Sequence, residues 1–236
     1  MFSDNKFEKI IITMERDHQL TREVKEYCNK IGVDIVGFAN PLLFEHYPEK
    51  NRPDSFIDNP KTVIIIGFHL YDIILDAWSH KEGESVWSYQ FADAVVEQFC
   101  HRIRRYLLKK NFNSRVIPYS PGLFLKEAAA LAGVGPIGKN NLLITDRFGS
   151  QIRLRALATT APLICGEPIR ESKYCEGCNI CIEACPANAF INGKYIKEKC
   201  YIYLETHKMN LSDYTVVECN ICIESCPIGE NRDILP

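Results

Sequence analysis

Cys175-Glu176-Gly177-Cys178-Asn179-Ile180-Cys181-Ile182-Glu183-Ala184-Cys185-Pro186 is the stretch that decides how the chain is read. Thiols at i, i+3 and i+6 on one tight loop reach three irons of a single cubane, while the fourth, followed by proline, is carried away from them. This is the spacing of bacterial [4Fe–4S] ligation, in which the fourth cysteine serves a second cluster. A near copy follows as Cys219-Asn220-Ile221-Cys222-Ile223-Glu224-Ser225-Cys226-Pro227. Its opening cysteine is missing, because Val216 stands there, and Cys200 is the replacement. Exchanging the terminal cysteines gives one set of Cys175, Cys178, Cys181 and Cys226, and another of Cys185, Cys200, Cys219 and Cys222. Two structural zinc sites are the alternative, since Cys-x2-Cys pairs also bind zinc. A zinc ribbon, however, has no use for the third cysteine or for Cys-Pro endings.

Eleven cysteines leave three outside these sets, Cys28, Cys100 and Cys165. The first two lie on apolar helix faces and read as small core residues; Cys165 is the rival of Cys200 as eighth ligand. The rest of the composition is ordinary. At 236 residues, 46% hydrophobic and 25% charged, the chain is neither disordered nor a coiled coil. A net charge of −2 argues against binding polyanions by bulk charge. Val63-Ile64-Ile65-Ile66 is far short of the roughly 20 apolar residues of a membrane helix, so no membrane partner is expected. Residues 1–8 are charged and lack a secretory apolar region. With cysteines crowded as metal ligands are in reducing surroundings, a cytoplasmic location is expected.

Periodicity places a helix over 19–30, with Leu20, Val24, Tyr27, Cys28 and Ile31 on one face. A short strand over 33–38 and a proline-containing loop over 40–61 follow, then a buried β-branched strand over 62–70. The clearest helix covers 89–110, with Ala92, Val95, Val96, Phe99, Ile103, Tyr106 and Leu107 as its core stripe. A strand over 115–118 and a short helix over 123–132 come next. Segments 141–145 and 152–160 read as a hairpin around Asp146-Arg147-Phe148-Gly149. The texture changes near residue 168, dividing an α+β domain over 1–168 from a cysteine-punctuated domain over 169–236. Arg102, Arg105 and Lys109 form a solvated helix face, and His69, with Asp72 and His80 near it in sequence, is a core-edge residue.

Gly133-Val134-Gly135-Pro136-Ile137-Gly138 matches G-x-G-x-x-G letter for letter. The dinucleotide motif needs a strand before it and a helix after it. Here helical residues precede and extended ones follow, so that reading fails. A glycine loop leading to Lys139, Asn140 and Asn141 still suits wrapping a cofactor with amides and polar side chains; a helix cap leading into a strand is the plainer alternative.

The glycine loop through Lys139-Asn140, then Gly149-Ser150, Leu157-Ala158-Thr159-Thr160 and two cluster motifs split by a lone cysteine, resemble the epoxyqueuosine reductases. More distantly they are similar to the reductive dehalogenases. The resemblance covers about residues 20–230. It implies a nitroreductase-like α/β sandwich domain followed by a small ferredoxin-like domain with two [4Fe–4S] clusters. It further implies cobalamin held near Gly133, Gly135, Gly138, Lys139 and Asn140. The electron donor would be a ferredoxin or flavodoxin, and the substrate a small molecule or modified nucleoside. The family's proton-donating Asp falls at Tyr119, and the dehalogenases also use a tyrosine there. The family continues into a helical-repeat tail associated with tRNA, whereas this sequence ends ten residues past Cys226, so tRNA binding is not expected. The alternative function is a ferredoxin-type electron-transfer protein that docks a redox partner and binds no corrinoid.

Overall fold

The computed structural model describes residues 15–79 and 89–229; residues 1–8, read above for a leader, and His80 lie outside them. In chain order the first part holds α1 (His18–Ile31), β1 (Ile35–Ala39), β2 (Thr62–His69), β3 (Trp78–Ser79) and β4 (Tyr89–Gln90). It continues with α2 (Phe91–Lys109), β5 (Ser114–Val116), α3 (Leu125–Leu131) and β6 (Ile152–Thr159). The second part holds α4 (Ile180–Glu183), β7 (Phe190–Ile191), β8 (Lys194–Tyr195), α5 (Lys197–Thr206), β9 (Met209–Ser212), β10 (Thr215–Val217) and α6 (Ile221–Glu224). This is the expected α+β architecture with a small ferredoxin-like part after it.

The main sheet runs β1-β2-β6-β5 with every neighbouring pair antiparallel. The apolar run of β2 explains why both faces of this sheet are covered, since successive strand residues point to opposite sides. Ile64 and Ile66 pack with Val24 and Cys28 of α1 and with Val96, Cys100, Ile103 and Leu107 of α2. Val63 and Ile65 pack on the other face with Ala128 and Ala129 of α3 and with Leu143. Cys28 and Cys100 are fully buried, and burial pushes both thiols up to about 12. They are inert core residues.

Local signals set the helix limits. The Asp17 carboxylate accepts the Leu20 N–H at 2.8 Å and starts α1. Gly32, at φ +91°, ends it with its own N–H on the Cys28 and Asn29 carbonyls. The 40–61 loop is tied down by three 3-10 turns, and Phe44 is buried beneath it against Tyr47.

The hairpin expected over 141–160 does not form. Only isolated bridges join Ile137 to Leu143 and Thr145 to Gly149, while β6 pairs with β2 and β5. The cause is local. The Asn140 side chain accepts the Leu142 N–H at 3.2 Å, and Asn141 takes φ +60°, which turns the chain out of an extended path.

Past residue 168 the chain remains tied to the first part. A second sheet runs β4-β3-β10-β9, so Thr215 and Val216 pair with Ser79 and Trp78. Val216, the residue standing where a cysteine would open the second motif, is therefore occupied as a strand residue.

Candidate cofactor site between the two parts

The two cysteine motifs fold alike. In each, an asparagine carbonyl, from Asn179 or Asn220, accepts N–H groups three and four residues on and starts a single helical turn. Those turns are α4 and α6, both Ile-Cys-Ile-Glu, and each ends as its Cys-Pro leads away.

Leading away is what sorts the thiols. Cys175, Cys178, Cys181 and Cys226 line one small cavity together. Cys185, Cys200, Cys219 and Cys222 line a different and larger one. Each motif thus gives its terminal cysteine to the other's cavity. Burial, then the neighbouring sulfurs, push the thiols up: Cys181 feels Cys226, Cys175 and Cys178, and Cys222 feels Cys219, Cys200 and Cys185. Such mutual repulsion favours a bound cation, which holds thiolates deprotonated. Among the described residues, no three metal-ligating side chains converge on the position of a single ion; the thiols surround volumes instead. Cys165 lies elsewhere, lining a pocket with Gly133 and Val134.

The glycine loop meets the cysteine motifs directly. A Cβ on Gly135 would lie 2.1 Å from the Ile144 carbonyl oxygen, and one on Gly133 would lie 2.7 Å from the Glu167 carbonyl oxygen. Gly138 packs against the Ile144 side chain. These close approaches are to the chain itself. Lys139 and Asn140 then face outward onto the motifs. The Lys139 backbone N–H points at Cys175 Sγ (3.4 Å), and its ammonium donates to the Cys178 carbonyl (2.8 Å) and to Asn179 Oδ1 (2.9 Å). Asn140 Nδ2 donates to the Cys222 carbonyl at 3.2 Å. Of the five loop residues singled out from sequence, Asn140 borders both thiol-lined cavities, Lys139 the smaller, and the glycines neither.

The larger cavity has a volume of about 680 Å³. Leu123, Phe124 and Leu125 form one wall and Pro186, Phe190 and Tyr201 part of another, with Asn140, Asn141 and Lys197 among the polar groups between. Mostly apolar lining with a few placed polar groups is the composition of a cofactor pocket. Glu127, on the first wall, keeps Oε2 buried and unpartnered among the described residues, a vacancy that suits an amide donor. Tyr195 also lines this cavity; burial, then the neighbouring Cys200 thiol, raise its pKa.

Tyr119 is not among the lining residues, although it heads the turn that leads into Leu123 and Phe124. The residue is 44% exposed, but the hydroxyl turns inward and donates to Asp93 Oδ1. Burial of that end, then Asp93, raise the phenol's pKa, and the Arg155 guanidinium, 3.7 Å from the ring centroid, opposes the rise. Asp93 is itself raised by burial, against the pull of Tyr119 and Arg155. Arg153 Nε lies 3.4 Å from Asp93, and Arg155 pairs with Glu97 at 2.9 Å. Sequence carried no signal for Asp93, because it reaches Tyr119 only through the packing of α2 on β6. Tyr195 carried a weak one in its nearness to Cys200.

A 4Fe–4S binding domain matches residues 169–191. An epoxyqueuosine reductase from Bacillus cereus is 25% identical in a 221-position alignment that covers 80% of this chain and 57% of that protein. One from Leadbetterella byssophila is 26% identical over 78% of this chain and 68% of its own length. The chain thus spans little more than half of the first of these relatives. Among solved structures, a Bacillus subtilis epoxyqueuosine reductase with its catalytic loop swung out of the active site superposes with a TM-score of 0.68. It is 21% identical over 91% of this chain and 66% of that one. An epoxyqueuosine reductase bound to an epoxyqueuosine-modified tRNA-Tyr stem loop gives 0.69 at 20% identity, covering 92% and 67%. A catabolic reductive dehalogenase gives 0.61 at 16%, covering 86% and 31%.

Gly135→Ala forces a side chain into the Ile144 carbonyl. It is expected to destabilise the fold by about 3 kcal/mol, read as a lowered urea midpoint. An unchanged midpoint would show that the loop yields freely.

Proposed function

We propose, for a chain that belongs to the epoxyqueuosine reductase-like and reductive dehalogenase-like iron–sulfur family, a reductase with two [4Fe–4S] clusters beside a corrinoid cavity. The observation that carries this reading is the division of eight thiols into two four-membered sets, each around its own space. In this reading Cys175, Cys178, Cys181 and Cys226 hold the first cluster, and Cys185, Cys200, Cys219 and Cys222 the second. Residues 169–236 form the cluster domain, and residues 1–168 the domain that holds cofactor and substrate.

The second set lines the cavity of about 680 Å³, so an electron on that cluster stands beside whatever the cavity holds. A corrinoid fits the lining: apolar walls suit the ring's faces, and its peripheral amides suit Asn140, Asn141 and the orphaned Glu127 oxygen. When bound, its cobalt supplies the low-potential reducing chemistry, while the protein sets position and access. Leu123, Phe124 and Phe190 would give a bound corrinoid an apolar wall that limits its contact with water. Tyr119 is the proton donor, and Asp93 holds its proton until the turn brings the hydroxyl toward the cavity. The swung-out catalytic loop of the Bacillus subtilis relative is a precedent for such a turn. The substrate class named by the relatives is a modified nucleoside, and a ferredoxin or flavodoxin is the matching one-electron donor.

Anaerobically prepared protein is expected to hold about eight irons per chain. Cys200→Ala should lose close to half of them and Cys165→Ala none; the reverse pattern would overturn the ligand assignment. Titration with cobalamin should change the visible spectrum in proportion to protein added. No change would leave the electron-transfer alternative, with no corrinoid bound. Tyr119→Phe should keep iron and cobalamin but lower turnover of an epoxide-bearing nucleoside about 100-fold or more, and full activity would remove Tyr119 from the chemistry.

A further inference from the structure

Lys139 touches the first cysteine loop at three points. Its backbone N–H lies 3.4 Å from Cys175 Sγ, and its ammonium lies 2.8 Å from the Cys178 carbonyl and 2.9 Å from Asn179 Oδ1. The residue also lines the cavity that Cys175, Cys178, Cys181 and Cys226 share. A firm turn holds it there: Gly138 N–H bonds the Leu142 carbonyl at 2.8 Å, and Asn141 N–H the Gly138 carbonyl at 2.9 Å. Beneath that turn Gly138 packs on Ile144, which fixes the backbone that carries the Lys139 N–H. The other thiol set is bordered differently. There the Ala189 N–H lies 3.5 Å from Cys185 Sγ and the Ile221 N–H bonds Cys219. Among the described residues Lys197 lines that cavity without bonding any of its sulfurs, and the carboxylate of Glu224 adds negative charge near Cys219.

Reduction adds one electron, and no proton, to a cluster and so adds one negative charge. A cation and an N–H aimed at a ligand sulfur stabilise the reduced form, because potentials follow net charge and hydrogen bonds to sulfur. From this placement we infer that Lys139 is a positioning residue that sets the potential of the first cluster alone, raising it so that the cluster accepts electrons from a one-electron donor. The inference rests on the reading that Cys175, Cys178, Cys181 and Cys226 hold a [4Fe–4S] cluster. It gives the loop a task separate from corrinoid binding.

The test is an EPR-monitored redox titration of the full chain with dithionite and mediators, without added cobalamin. Lys139→Gln keeps the backbone N–H and removes the charge. At low ionic strength it should lower the one-electron reduction equilibrium of one cluster about tenfold, which is 59 mV for a one-electron couple. The other cluster should stay where it was, and Lys139→Arg should restore most of the difference. Because Lys139 is exposed, added salt should shrink the gap between wild type and Lys139→Gln, as screening requires. Identical potentials in wild type and Lys139→Gln would overturn the inference, as would equal shifts of both clusters. Loss of the cluster in both Lys139→Gln and Lys139→Arg would make the lysine a structural brace and also overturn it. Failure of the underlying reading looks different: wild-type protein would lack one of the two EPR signals, and Cys175→Ala would leave its iron unchanged.

Discussion

The structure depends on an exchange. Two nearly identical motifs, 178–186 and 219–227, each end in Cys-Pro, and each sends its terminal cysteine into the other's cavity. Neither set of four thiols can be completed by its own loop, so the loops are bound to one another for as long as the sets are filled. The single helical turns α4 and α6 are too short to be stable alone. They persist because the exchange crosses between them and because the first part of the chain braces both.

That bracing explains the glycine loop. A loop carrying side chains at positions 133 and 135 would strike the Glu167 and Ile144 carbonyls. With glycine there, the backbone lies close enough to the rest of the chain for Lys139 to reach the Cys175 loop and Asn140 the Cys222 loop. Two consecutive residues thereby join both motifs to the sheet domain. The shared sheet, with β10 against β3, makes a second attachment at another side. The cavity of about 680 Å³ is lined from both parts, by Leu123, Phe124 and Asn140 of the first and by Cys185, Cys200 and Cys222 of the second.

Legibility followed range. Helices α1 and α2 and strand β2 were readable because their apolar patterns, and for α1 its caps, lie within or beside the segments themselves. Thiol grouping was readable from the two spacings and the Cys-Pro endings. The hairpin over 141–160 was misread because alternation alone does not register the Asn140 side-chain bond and the positive φ of Asn141. Asp93 stayed hidden for a different reason. It lies 26 residues before Tyr119 and meets it only when α2 packs on β6.

By itself the sequence determined the local chemistry: eight cysteines at cluster spacing, a both-faces-buried strand, and glycines where the backbone must pass closely. Such features depend on neighbours within a few residues, whose distances the covalent chain sets. Tertiary structure decided which partners meet. It turned Tyr119 onto Asp93, set Lys139 against Cys175, and joined Asn140 to the Cys222 loop. Those contacts join residues far apart along the chain, and only burial of a common core selects them from the many pairings that spacing alone allows.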